Sequence, residues 1–201
     1  MGILGNRRGA EVNLAIIAAN VVWFIVLTAT GSLSSMRGMV EHGAMYVPYV
    51  TEYGQEWRLL SSAFVHFDIR HIANNMFILF MLGDNLERAL GHVKYFIFYI
   101  LGALGGNILS MQLELAKGSY AVSGGASGAV FAVIGGLLWA VIANRGRLED
   151  LTTKQLFILA ALSLYFGFTS TGVDNAAHVG GLVTGFILSM LMYRKRRRAS
   201  W

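Results

Sequence analysis

Cysteine is absent from the chain, and proline occurs once, at Pro48. Disulfides and thiolate metal sites are therefore excluded. Charge is scarce as well. Asp, Glu, Lys and Arg make up 13% of 201 residues, against about 25% in soluble domains. With 55% hydrophobic residues, this cannot be an ordinary water-soluble globule. The sequence also has no H-E-x-x-H zinc motif, no internal repeat and no evident cleavable signal peptide. The net charge of +5 does not point to nucleic acid. Five of the sixteen basic residues form the run Arg194 to Arg198 directly behind an apolar stretch, where such a run anchors a membrane helix to the cytoplasmic leaflet.

What is present is long apolar runs. A spanning helix needs roughly 20 such residues, and six segments qualify: about 12–31, 70–90, 93–113, 125–143, 154–170 and 175–193. The expected fold is an all-α polytopic bundle of six transmembrane helices, forming one domain over 1–201. Residues 32–69, with Pro48, are too long for a simple connector. Lys and Arg placement sets the topology. Arg7, Arg8, Arg88, Lys94, Arg145, Arg147, Lys154 and the 194–198 run fall on one side, and Arg37, Arg58, Arg70 and Lys117 on the other. Both termini are thus expected in the cytoplasm and the 32–69 loop outside.

In that topology the second, fourth and sixth helices begin at the outer surface, and each begins with polar residues. The second opens with His71 and Asn75, the fourth with Ser127 among Gly124, Gly125 and Gly128, the sixth with Asp174, Asn175 and His178. Three helix N-termini aimed at one zone create a positive potential suited to a developing oxyanion. Each residue has a plainer reading. The pairs Gly124/Gly128, Gly181/Gly185 and Gly102/Gly106 are spaced for close helix approach, Ser127 can be packing glue, and His71 and Asn75 can line a water-filled cavity. The two readings cooperate, because glycine packing would bring Ser127 to His178. A serine needs a base to become a nucleophile, and a histidine in a membrane helix is functional by default. His71, Asn75 and the Ser127 N–H would supply oxyanion donors. Asp174, at the start of the sixth helix, reads as its N-cap.

Together these residues resemble the rhomboid intramembrane serine proteases. "GGASG" is similar to G-x-S-G around Ser127. "AHVGGLVTG" is similar to A-H-x-x-G-x-x-x-G, with His178, Gly181 and Gly185. "HIANN" matches H-x-x-x-N, which selects Asn75 over Asn74 beside His71. Trp57-Arg58 matches a first-loop signature, His66 an upstream histidine lining the site, and Gly83, Glu87 and Gly91 the pattern G-x-x-x-E-x-x-x-G. The resemblance covers about residues 50–192. It implies a Ser127–His178 dyad with His71, Asn75 and Ser127 at the oxyanion, and support from Gly125 and Gly128. It also implies that Glu87 holds the first loop to the core and that the fifth helix is a lateral gate. Phe131 replaces the tyrosine of some relatives, keeping a ring for His178 without a hydroxyl. The form resembled is the minimal six-helix bacterial one. The resemblance implies a transmembrane protein as substrate within the lipid bilayer, and no metal or other cofactor. A transporter or channel with a buried polar site is the alternative, though it would favour repeats and paired broken helices.

Overall fold

The computed structural model describes residues 9–194. Arg7, Arg8 and Lys195 to Arg198, which carry much of the topology argument, lie outside the described residues. The helices are α1 (Glu11–Ala29), α2 (Met36–Glu41), α3 (Val47–Thr51), α4 (Arg58–Ser61), α5 (Ile69–Ile78), α6 (Asp84–Leu90), α7 (His92–Lys117), α8 (Ser127–Ala143), α9 (Thr153–Thr169) and α10 (Asn175–Met192). Three of them, α1, α7 and α10, are long and apolar enough to cross a membrane, and α8 and α9 are shorter apolar helices.

The expected second helix is a composite. Between α5 and α6, residues 79–83 form a π-helical turn. A π turn widens the ladder and leaves a carbonyl without its usual partner. Here the Asn13 side chain donates to the Leu79 carbonyl at 2.9 Å and to Asp84 Oδ1 at 2.8 Å, while Tyr95 donates to Asn13 Oδ1 at 2.7 Å. The expected fourth helix starts at Ser127 rather than 125, and the third runs on to Lys117. Residues 147–148 and 151–152 pair as a small antiparallel hairpin, an element the hydropathy reading does not contain. Arg88 fixes this hairpin to α6 by binding Glu149 at 2.9 Å.

Helix α8 is the axis of the molecule. It is apolar on all sides, and every residue from Gly128 to Leu137 is buried, as expected of a helix enclosed all round. Helix α10 lies against it at backbone distance. A Cβ on Gly181 would come within 2.0 Å of the Gly128 carbonyl oxygen, and one on Gly185 within 2.0 Å of that of Ala132. Gly124 is not part of this seam. Its neighbours are the carbonyls of Val65 and Ser62, because the chain has left the helix by that point. Helix α9 is the least enclosed of the apolar helices. Only Leu156, Ala160 and Gly167 are buried on it, and Phe157, Tyr165 and Phe166 stand out from the protein.

The 32–69 segment is a folded subassembly of short helices built around Arg58, which is 4% exposed. Its guanidinium donates to the Val40 and Ala44 carbonyls at 2.5 and 2.9 Å and to Gln55 at 2.7 Å. The rings of Trp57 and Tyr49 lie 4.5 and 5.1 Å from its central carbon. Arg58→Ala is expected to lower stability by about 2–4 kcal/mol, since two buried carbonyls lose their donor. An unchanged Tm of the purified variant would contradict this role.

Glu87 does not hold this loop. Its carboxylate accepts the N–H groups of Val12 and Asn13 at 3.0 and 2.6 Å and bonds His92 Nδ1 at 2.6 Å. It therefore fastens the first turn of α1, whose N–H groups have no partners within the helix, at the end of the bundle opposite Ser127.

Candidate active site

The site forms where α5, α8 and α10 begin. Asp68 caps α5, accepting the N–H groups of Arg70 and His71 at 2.8 and 2.9 Å. That fixes His71 in the first turn and puts Asn75, four residues on, on the same face. Asn75 is buried and Asn74 exposed. The His71 ring lies parallel to that of Phe67 at 6.0 Å and edge-on to that of His66 at 5.1 Å.

The chain approaches α8 through Gly125, at φ +125°, a conformation that favours glycine. A side chain there would also collide, because a Cβ would sit 2.5 Å from His71 Cε1 and Nε2 and 3.7 Å from Asn75 Nδ2. The absent Cβ thus lets the backbone just before Ser127 press onto His71 and Asn75. Two further bonds hold this approach. Gly125 N–H donates to the Ser62 carbonyl at 2.8 Å, and Ala126 N–H donates to His66 Nε2 at 3.2 Å. His66 is fully buried and holds the segment leading to Ser127 through this bond. No sequence signal assigned it that backbone contact.

Ser127 is the first residue of α8 and half-buried. No side chain caps this helix start, so its first N–H groups are left for another acceptor. His178 is buried in the first turn of α10. The Phe131 ring, one turn below Ser127, lies parallel to the imidazole at 4.3 Å. Among the described residues no hydrogen bond joins Ser127 to His178; what brings their helices together is the Gly128–Gly181 contact and this stack. Among the described residues, three buried nitrogens in the region lack a hydrogen-bond partner, His66 Nδ1, Asn75 Nδ2 and His178 Nδ1. Uncompensated burial of polar groups is costly.

Asp174 is engaged away from His178. Its Oδ1 accepts the Ala177 N–H at 2.9 Å, as an N-cap does, and its Oδ2 accepts the Ser110 hydroxyl at 2.6 Å. Trp57 and Arg58 act within the 32–69 segment. The remaining cluster of His and acidic side chains among the described residues, Glu11, Glu87 and His92, lies at the opposite end.

The sequence profile of the Rhomboid domain family matches residues 53–195. The chain is 31% identical over 170 residues to Rhomboid protease GluP of Bacillus subtilis (strain 168), covering 85% of this chain and 32% of that protein. It is 31% identical over 191 residues to Rhomboid-like protease 1 of Toxoplasma gondii, covering 90% and 63%, and 36% identical over 156 residues to RHOMBOID-like protein 2 of Arabidopsis thaliana, covering 75% and 46%. The chain thus spans between about a third and under two thirds of the length of these relatives. The family match takes in most of the chain, including His66, His71, Asn75, Ser127 and His178, and on that basis the chain belongs to the rhomboid family.

Proposed function

We propose that this chain is an intramembrane serine endopeptidase that cuts a transmembrane segment of another membrane protein. One observation carries the reading most directly. The Gly125 backbone, two residues before Ser127, rests on His71 and Asn75, and Asn75 Nδ2 is a buried donor without an acceptor. An oxyanion formed on the carbon attacked by Ser127 is the acceptor that this donor lacks.

In this mechanism Ser127 Oγ adds to the scissile carbonyl while His178 Nε2 takes its proton. The tetrahedral oxyanion is held by Asn75, His71 and the Ser127 N–H. His178 returns the proton to the leaving amine, and water then hydrolyses the Ser127 ester by the same steps in reverse. Phe131, stacked on the imidazole, fixes the plane of the ring. Among the described residues His178 Nδ1 has no carboxylate partner, which favours a dyad over a triad. Accordingly, Asp174→Asn is expected to keep activity within about tenfold, because Asn still caps the helix. A loss near 10⁴ in a variant of normal Tm would instead make Asp174 a member of a triad.

The same proposal takes the α5–α6 column, α8 and α9 as spans alongside α1, α7 and α10, in a single domain with both termini in the cytoplasm and 32–69 outside. Helix α9 is the lateral entrance for substrate, consistent with its few buried positions. The decisive test is a serine-reactive phosphonate. The purified protein should take up one adduct, located at Ser127 by mass spectrometry, with parallel loss of cleavage. Cleavage that persists in a fully labelled sample would refute the assignment.

A further inference from the structure

A cavity of about 510 Å³ lies beside the Ser127 end of the bundle, between the last turns of α7, residues 121–123, and the loop that leads into α10. Its wall is largely apolar, but it carries two carboxylates, Glu114 and Asp174, and one ammonium, Lys117. The protease mechanism uses none of the three. Among the described residues, the Glu114 carboxylate receives only the Ala121 N–H, shared between its two oxygens at 3.3 and 3.4 Å. Asp174 accepts one bond on each oxygen. A carboxylate has about four lone-pair sites, so both acids retain acceptor capacity, and the wall has a net negative charge.

The position of the cavity ties it to the reaction. Ser123, on its wall, is four residues ahead of Ser127, and Asp174 is four residues ahead of His178. Four residues of extended chain reach about 14 Å. A substrate with its scissile carbonyl at Ser127 can therefore place in the cavity a side chain from within a few positions of the cut. A long aliphatic stem against the apolar wall, ending in a cation near Glu114 and Asp174, matches both parts of the lining.

Resting on the protease reading, we infer that this cavity is a specificity pocket for a lysine or arginine side chain of the substrate near the scissile bond, with Glu114 as the selecting residue.

The test compares kcat/KM for a set of transmembrane substrates carrying Lys, Ala or Glu at each of the four positions on either side of the cut. The wild-type enzyme is expected to prefer Lys over Ala by about fivefold at one or two positions, the scale of a partly exposed ion pair, and to disfavour Glu there. Glu114→Gln should bring the three within about twofold, and Glu114→Lys should make Glu the best residue. Lys117→Glu, which adds a carboxylate without touching Glu114, should widen the Lys preference. The inference is overturned if no position discriminates, if the preference survives Glu114→Lys, or if Glu114→Gln slows all substrates alike. Phosphonate labelling of the same samples reports on the protease reading separately.

Discussion

Replacing Ser127 by Ala is expected to abolish cleavage of a transmembrane substrate and to abolish phosphonate labelling, with Tm preserved. Loss of a serine nucleophile costs about 10⁶ in kcat, which places the variant below ordinary detection. The structure explains why folding should survive. Among the described residues the Ser127 side chain has no hydrogen-bond partner, and the helix start is held through neighbours, by Gly125 N–H to Ser62 and Ala126 N–H to His66. Ser123 serves as the control. It pairs with Met45 through its backbone, so Ser123→Ala keeps that pairing and should keep activity. Cleavage by a purified Ser127→Ala variant would mean that another group is the nucleophile.

Asn75→Ala is expected to lower kcat by about 10²–10³, the usual cost of one oxyanion donor. Stability should respond differently from most buried polar truncations. Asn75 Nδ2 has no partner among the described residues, so its removal breaks no donor bond to them, and Tm should not fall appreciably. Asn74→Ala, on the exposed side of the same turn, should leave both quantities near wild type. Measuring kcat and Tm for the pair separates the roles. A larger kinetic effect at Asn74 would mean that the face of α5 turned toward Ser127 has been misassigned.

Much of this was legible because apolar runs and helix-end chemistry are local properties. The six apolar segments coincide with helical columns to within a few residues, and Asp174 is the N-cap that its position suggested. What sequence could not give were contacts that depend on how columns meet. Glu87 looked like a fastener for the first loop, yet it holds the start of α1, since only the three-dimensional path of α1 brings Val12 and Asn13 to it. The π turn at 79–83 was hidden because an extra residue in a helix leaves the hydropathy pattern almost unchanged, and its compensating partner, Asn13, is 66 residues away. Gly124 and Gly128 looked like one motif, but the chain changes conformation between them at Gly125, so the first packs on the loop and the second on neighbouring helices. His66 contributes through a backbone N–H, a kind of contact that no side-chain motif encodes.

The seam between α8 and α10 has a consequence for how this molecule ages as a lineage. Where main chain touches main chain, at Gly128 with Gly181 and at Ala132 with Gly185, spacing is set by atoms common to every residue. Exposed side chains on α10, such as Val183 and Ile187, can drift without altering the interval between the two helices, whereas a single added methyl at Gly181 or Gly185 forces the helices apart. Variation on α10 should therefore be lopsided, generous at its exposed positions and nearly nil along one narrow stripe. The spacing of α8 and α10 is stored in what those two glycines leave out.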